Sequence, residues 1–215
     1  MIDAQIASIR KEYMRASLLE EKAATNAITQ FSNWWNDALQ AQIEEINAFA
    51  LSTVDQNNFP HSRIVLLKSF SENGFIFFTN YLSTKGQNIA HNQQVSILFF
   101  WKELERQVRI QGIASKIPKA ESEEYFFSRP ISSQIGAHAS AQSQVLSNRQ
   151  ALEGKVAKLE KQFETEPITM PDYWGGYQVQ PLEIEFWQGR ESRLHDRLRY
   201  TLQDDKAWKI ERLSP

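Results

Sequence analysis

The chain has 215 residues, 24 of them basic and 26 acidic, for a formal net charge of −2 at pH 7. That length suits one domain with a sizeable core, and the charge balance excludes a global basic field for nucleic acid. There is no cysteine, which excludes disulfides and thiolate chemistry, and the four histidines (His61, His91, His138, His195) lack zinc-ligand spacing.

The opening stretch "MIDAQIASIRKEYMRASLLEEKAA" is charged throughout and has no apolar leader core. No apolar run approaches a membrane span, so a cytoplasmic protein is expected. The first 45 residues read as helices. Ile2, Ile6, Ile9 and Tyr13 fall at helical spacing, and so do Phe31, Trp34, Trp35, Leu39 and Ile43. From Asn47 the period becomes that of strands: "NAFALSTV", "SRIVLLKSF", "FIFFTN", "VSILFFW" and "RQVRIQGIASKI", separated by turn-like "DQNNFP" and "SENG". Such a run suggests a mostly antiparallel barrel or meander. Helices return with "PKAESEEYFFSRP", where Pro118 starts and Pro130 stops one, and with the charged "SNRQALEGKVAKLEKQFETE". "MPDYWGGYQV" reads as an aromatic turn, and "PLEIEFWQ" and "AWKIERL" as closing strands. No Gly/Ser/Pro linker flanks the later helices. They are expected to form an insertion at about 118–165 packed on a single domain spanning 1–215.

Charge concentrates in "QGRESRLHDRLRY", which holds Arg190, Arg193, Arg197, Arg199 and His195. At strand spacing, Arg193, His195, Arg197 and Arg199 share one face, opposite Leu194, Asp196 and Leu198. Such a row repels itself unless an anion lies against it; the alternative is a solvated edge strand. In "SRIVLLKSF", Arg63 and Lys68 are five apart, so a bulge or strand end is needed to bring them together. In "FFTNYLSTKGQNIA", Thr79, Ser83, Thr84 and Lys85 precede or open a helix beginning near Thr84, a place for an anion or simply a capped helix. No glycine-rich phosphate loop is present.

The segments "SRIVLLK", "FFTN…STKGQNI", "ERQVRIQG", "YFFSRPISSQIGAHASAQS", "WGGYQV", "IEFWQGRESRLHDR" and "AWKIERLSP" resemble, in order and separation, the pyridoxamine 5'-phosphate oxidase family. The likeness runs from about Ile9 to Pro215. It implies a mainly β fold with added helices: an FMN-binding split β-barrel working as a homodimer, with flavin held where two subunits meet. It also implies the reaction. Pyridoxamine or pyridoxine 5'-phosphate is oxidised to pyridoxal 5'-phosphate with FMN as cofactor, oxygen as acceptor and hydrogen peroxide as by-product.

Motif by motif, the resemblance implies that FMN is held by Arg63, Ile64, Val65, Leu66, Leu67 and Lys68, by Phe78, Thr79, Ser83, Thr84 and Lys85, by Gln107, by Gln142 and Ser143, and by Trp187 and Arg197. Lys68, Tyr125, Arg129 and Ser133 match the substrate-phosphate cradle. Arg193, Leu194 and His195 match the pyridine site, with Arg193 and His195 as the catalytic candidates. Arg10 and Tyr13 of "RKEY" resemble the family's flexible segment that closes over substrate. Arg190 and Arg199 match no role and read as surface charge. No metal, nucleic acid or membrane partner is implied.

Three positions depart from the family pattern. Phe78 stands where Tyr is common, which removes a hydroxyl. Thr84 stands where Arg is common, which removes a phosphate charge. "EEIN" at 44–47 replaces a more usual acid–proline pair. The competing readings are a split-barrel flavoprotein with another substrate, a non-catalytic pyridoxal phosphate carrier and, weakest, a nucleic-acid module.

Overall fold

A computed structural model of the chain describes residues 16–215. Arg10, Tyr13 and the helix expected around them lie outside the described residues. The strands are β1 (Ala48–Val54), β2 (Pro60–Leu66), β3 (Ser69–Ser71), β4 (Gly74–Asn80), β5 (Gln94–Trp101), β6 (Arg106–Lys116), β7 (Trp174–Gln188), β8 (Asp196–Leu202) and β9 (Trp208–Arg212). Their hydrogen-bonded order is β2-β1-β5-β6-β7-β4-β3, with β8 on β7 and β9 on β8. The helices are α1 (Ala27–Gln40), α2 (Thr84–His91), α3 (Lys119–Ser128), α4 (Ile131–Ala139) and α5 (Arg149–Phe163).

The chain forms two compact units. The first takes the described residues up to Phe49, together with Ile97–Gln111 and Pro181–Pro215. Here α1 starts where the Asn26 side chain accepts from the Ile28 and Thr29 amides at 2.7 and 3.1 Å, a cap worth about 1 kcal/mol. Its inner face buries Ile28, Phe31, Trp34 and Ala38. The Phe31 ring lies 5.3 Å from that of Phe99, and Trp34 meets Phe186 edge-on at 5.2 Å. The Arg106 guanidinium lies over the Trp34 ring, 4.5 Å from its centre, and pairs with Asp37 at 2.7 Å. The helix stops at Gln40, short of the expected stripe; Leu39 is exposed and Ile43 lies beyond the end. Gln42 and Glu45 take left-handed backbone there (φ 52° and 48°), which ends helical continuation.

The second unit takes Ala50–Ser96 and Gly112–Gln180. The run "SRIVLLKSF" is not one strand: β2 ends at Leu66, Leu67 turns into the core at 4% exposure, and β3 begins at Ser69. Lys68 therefore sits at a strand end, the geometry needed to free it from the alternation that governs Arg63. The supposed aromatic turn is also strand. β7 begins at Trp174 and pairs antiparallel with β4, Phe78 opposite Gly176 and Thr79 opposite Gly175. The two glycines serve close approach. A Cβ on Gly176 would lie 2.5 Å from Ile117 Cδ1, and one on Gly175 2.2 Å from the Tyr81 hydroxyl. Pro118 and Pro130 occupy the N-cap positions of α3 and α4, so Pro130 opens the next helix as well as closing the last.

Candidate active site

In the second unit, the end of β2, strand β4, the start of α2 and helices α3 and α4 surround a cleft of about 630 Å³. Lys68, Lys85 and Arg129 line it, and among the described residues no aspartate or glutamate does. An aromatic stack forms one wall: Phe78 lies 4.0 Å from Tyr125 and 5.4 Å from Trp174, ring centre to ring centre. The Arg129 guanidinium sits 4.8 Å over the Trp174 ring. Its Nη2 donates to the Ser133 carbonyl at 2.8 Å, while its Nη1 is buried with no hydrogen-bond partner among the described residues. Burial also presses its pKa below the usual arginine value. A buried charged donor without an acceptor is uncommon, and because Arg129 lines the cleft an anion bound there would supply one.

At one side of the cleft lies a second cationic group. Lys85 Nζ donates to Gln142 Oε1 at 2.9 Å, to Thr79 Oγ1 at 3.2 Å and to Ser83 Oγ at 3.3 Å. Burial, and next the positive charge of Arg63, pull the Lys85 pKa down to about 8. Ser83 Oγ donates to the Asn80 carbonyl at 2.7 Å and accepts from the Gly86 amide at 3.4 Å. Ser83 is therefore the cap of α2, and Thr84 is its exposed first residue. The donors are lysine, arginine and hydroxyl groups without a competing carboxylate, which fits a phosphate monoester such as that of FMN.

The arginine-rich stretch belongs to the first unit and departs from the expected single face. A one-turn helix covers Glu191–Arg193, and β8 starts only at Asp196. Arg193 and His195 thus precede the strand. Ser192 and Arg193 both adopt left-handed backbone, φ 54° and 62°, a conformation that non-glycine residues take at some cost. Most of the charge is answered within the chain. Arg197 donates to Glu185 at 2.8 and 3.2 Å, and Arg109 reaches the same buried carboxylate at 3.1 Å. Arg199 pairs with Glu211 at 2.9 Å, and Arg190 with Asp196 at 2.9 Å. Arg190 and Arg199 are thus structural ion pairs, not loose surface charge. Among the described residues, Arg193 faces no carboxylate and is exposed. The His195 ring lies tilted against that of Trp187, ring centres 4.5 Å apart, and its Nδ1 accepts from the Arg190 backbone amide at 3.1 Å. A neutral His195 then carries its proton on Nε2. Burial first, and Arg193 second, hold its pKa below the ordinary histidine value.

A family model described as pyridoxamine 5'-phosphate oxidase matches residues 35–163, and one described as the pyridoxine 5'-phosphate oxidase C-terminal dimerisation region matches 174–215. The chain belongs to the pyridoxamine 5'-phosphate oxidase family. It is 48% identical over 214 residues to a pyridoxine/pyridoxamine 5'-phosphate oxidase from Trichormus variabilis, covering 100% of both chains. It is 50% identical to the one from Haemophilus influenzae, covering 98% of this chain and 100% of that one. Among solved structures, PhzG from Burkholderia lata, in complex with tetrahydrophenazine-1-carboxylic acid, superposes with TM-score 0.85 at 31% identity, over 92% of this chain and 98% of that one. A pyridoxamine 5'-phosphate oxidase-related, FMN-binding protein from Nostoc punctiforme shares the fold, with TM-score 0.69 at 17% identity, over 86% and 97% of the two chains.

Within this oxidase-family chain, the cleft gathers Ile64, Val65, Leu66, Lys68, Phe78, Thr79, Lys85, Tyr125, Arg129, Ser133 and Gln142. Leu67 is packed in the core, Thr84 faces solvent, and Ser143 occupies a left-handed turn (φ 72°) next to Gln142. Gln107, Trp187, Arg193, Leu194, His195 and Arg197 all lie in the first unit. Sequence reading gave no role to Trp174, Gly136 or Ser140, which also line the cleft, or to Glu185, which anchors Arg197. Glu185 did carry a signal: a lone carboxylate among the apolar residues of "IEFW" calls for a cation beside it.

Proposed function

We propose that this chain oxidises pyridoxamine or pyridoxine 5'-phosphate to pyridoxal 5'-phosphate, using FMN. The observation that carries this is the cationic cleft, in which among the described residues no carboxylate lies and the buried Nη1 of Arg129 has no partner, in a chain so similar over its whole length to oxidases of that name. Bound FMN supplies a two-electron acceptor that oxygen regenerates, with hydrogen peroxide as by-product. Arg63, Thr79, Ser83, Lys85, Gln142 and Ser143 hold its phosphate and ribityl chain, and Gln107, Trp187 and Arg197 contact the flavin. Arg197 does so while tied to Glu185, so it orients by position more than by free charge. Lys68, Tyr125, Arg129 and Ser133 hold the substrate phosphate, next to the Phe78–Trp174 wall. Arg193 and His195 take the pyridine ring. With Nδ1 occupied by the Arg190 amide, His195 donates through Nε2 and orients the ring; it is not the proton acceptor.

The working form is a homodimer, in keeping with the match of 174–215 to a dimerisation region. No described helix is long and apolar enough to cross a membrane. We place the protein in the cytoplasm, because its phosphorylated cofactor and substrate do not pass a lipid bilayer unaided.

Two binding predictions follow from the cations. Lys85 is half-neutral near pH 8 without a ligand, and only its charged form pairs with phosphate. FMN binding to apo-protein therefore weakens as pH rises through about 8, by up to about tenfold per unit for one linked proton. Fluorescence titration from pH 6.5 to 9.5 measures this. Lys85→Arg flattens the profile, and an unchanged slope in that variant removes Lys85 from the site. At the exposed position 84, Thr84→Arg adds a partly screened charge worth roughly 0.5–1.5 kcal/mol, about two- to tenfold in affinity. The gain shrinks with salt. Equal or weaker binding means the phosphate is already fully paired.

The function itself is tested by the absorbance of purified protein before and after anaerobic addition of pyridoxamine 5'-phosphate. Bleaching of a flavin band is expected, with peroxide released on admitting air. A stable oxidised spectrum in the presence of substrate would overturn the assignment.

A further inference from the structure

Among the described residues, Arg63 reaches no acceptor through Nε or Nη2. Its Nη1 donates to Thr53 Oγ1 at 2.8 Å, to the His61 carbonyl at 3.0 Å and to the Leu51 carbonyl at 3.1 Å. Thr53, on β1, is fully buried. It accepts a second bond from Asn88 Nδ2 at 3.0 Å, so both lone pairs of its hydroxyl oxygen are in use. Asn88, 5% exposed, sits on α2 three residues after Lys85 and so on the same helix face. One buried hydroxyl thus joins the strand that carries Arg63 to the helix that carries Lys85. Those two cations repel each other, as the depressed pKa of Lys85 records, and Arg63 itself is desolvated. Left to itself, the long Arg63 side chain would swing away into solvent.

We infer that Thr53 and Asn88 are positioning residues for the cofactor phosphate: they hold Arg63 by Nη1, beside Lys85, with Nε and Nη2 left to meet the anion. This rests on the reading that Arg63 and Lys85 hold the FMN phosphate. Neither Thr53 nor Asn88 touches the ligand in this scheme. They act by cutting the ordering that binding would otherwise require.

The test is FMN affinity, measured by fluorescence quenching on apo-protein whose fold is checked by circular dichroism. Thr53→Val keeps shape and removes the acceptor; it is expected to weaken FMN binding ~5- to 30-fold. Thr53→Ser is expected to stay within ~3-fold of the parent, because the hydroxyl is restored. Arg63→Gln is expected to weaken binding by more, and adding Thr53→Val to it should change little further, since the two act as one unit. If Arg63→Gln weakens binding while folded Thr53→Val binds like the parent, the positioning inference is overturned and the phosphate reading stands. If Arg63→Gln itself binds FMN normally, the phosphate reading falls and the inference with it. Should Thr53→Val fail to fold, Asn88→Ala carries the test. A ~3- to 10-fold loss is expected there, and parental affinity overturns the inference.

Discussion

Arg193→Leu is expected to lower kcat/KM by about two orders of magnitude or more, while flavin content stays at the parental level. Three observations set this size. Among the described residues no carboxylate answers Arg193, unlike Arg190, Arg197 and Arg199 around it. Its backbone is held left-handed, together with that of Ser192, a conformation that persists only where the surroundings enforce it. Its motif also matches the family's pyridine site. Losing a charged partner in a closed site costs ~3 kcal/mol, which is ~100-fold. Leucine keeps much of the bulk, so packing loss does not explain the fall. Steady-state kinetics with flavin quantified by absorbance decides the matter. Near-parental turnover would make Arg193 an ordinary exposed charge.

Arg129→Leu is the second large effect, and it divides differently between the constants. Among the described residues no acceptor meets the buried Nη1 of Arg129, and the side chain is already desolvated. A substrate phosphate there gains one or two charge-assisted bonds, worth ~2–4 kcal/mol together. Removing them lowers kcat/KM by about 30- to 1000-fold. The phosphate is remote from the reacting carbon and binds alike in ground and transition states, so KM takes most of the loss. The apo-protein should not lose stability in proportion. The variant deletes an unsatisfied donor, at the price of the Trp174 contact and one bond to the Ser133 carbonyl. A kcat that falls while KM holds would place Arg129 nearer the chemistry than the phosphate.

Strand periods in the sequence located β1, β4, β5 and β6 because each is a Val/Ile/Phe-rich run bounded by turn residues, and β9 was read as a closing strand. β7 was half missed. Gly175, Gly176 and Pro181 look like turn chemistry, but the glycines admit Ile117 and Tyr81 to the sheet face, a demand of tertiary packing invisible in one strand. The run holding Arg63 and Lys68 already showed that a bulge or strand end was needed to bring the two together, but not which or where. The arginine-rich stretch was read with too simple a period. Its turn at Ser192 and Arg193 has no glycine or proline to announce it. Its counter-charges Glu183, Glu185 and Glu211 come from neighbouring strands, and no pairing register can be read from one chain alone. Thr53 and Asn88 were silent for the same reason. A buried threonine in a strand is unremarkable until the side chains it joins are seen.

Crowding Arg63 and Lys85 around one small volume has an outcome for the living cell. Without an anion the two like charges repel each other, and a ligand that binds only the native state stabilises it as the logarithm of its concentration, by about 2.7 kcal/mol at a hundred times Kd. If that pair holds the FMN phosphate as proposed, flavin-poor chains would open more often and meet proteases more often. The amount of this protein, not only the activity of each copy, would then follow flavin supply, and a shortage of one vitamin would be passed on as a deficit in the processing of another.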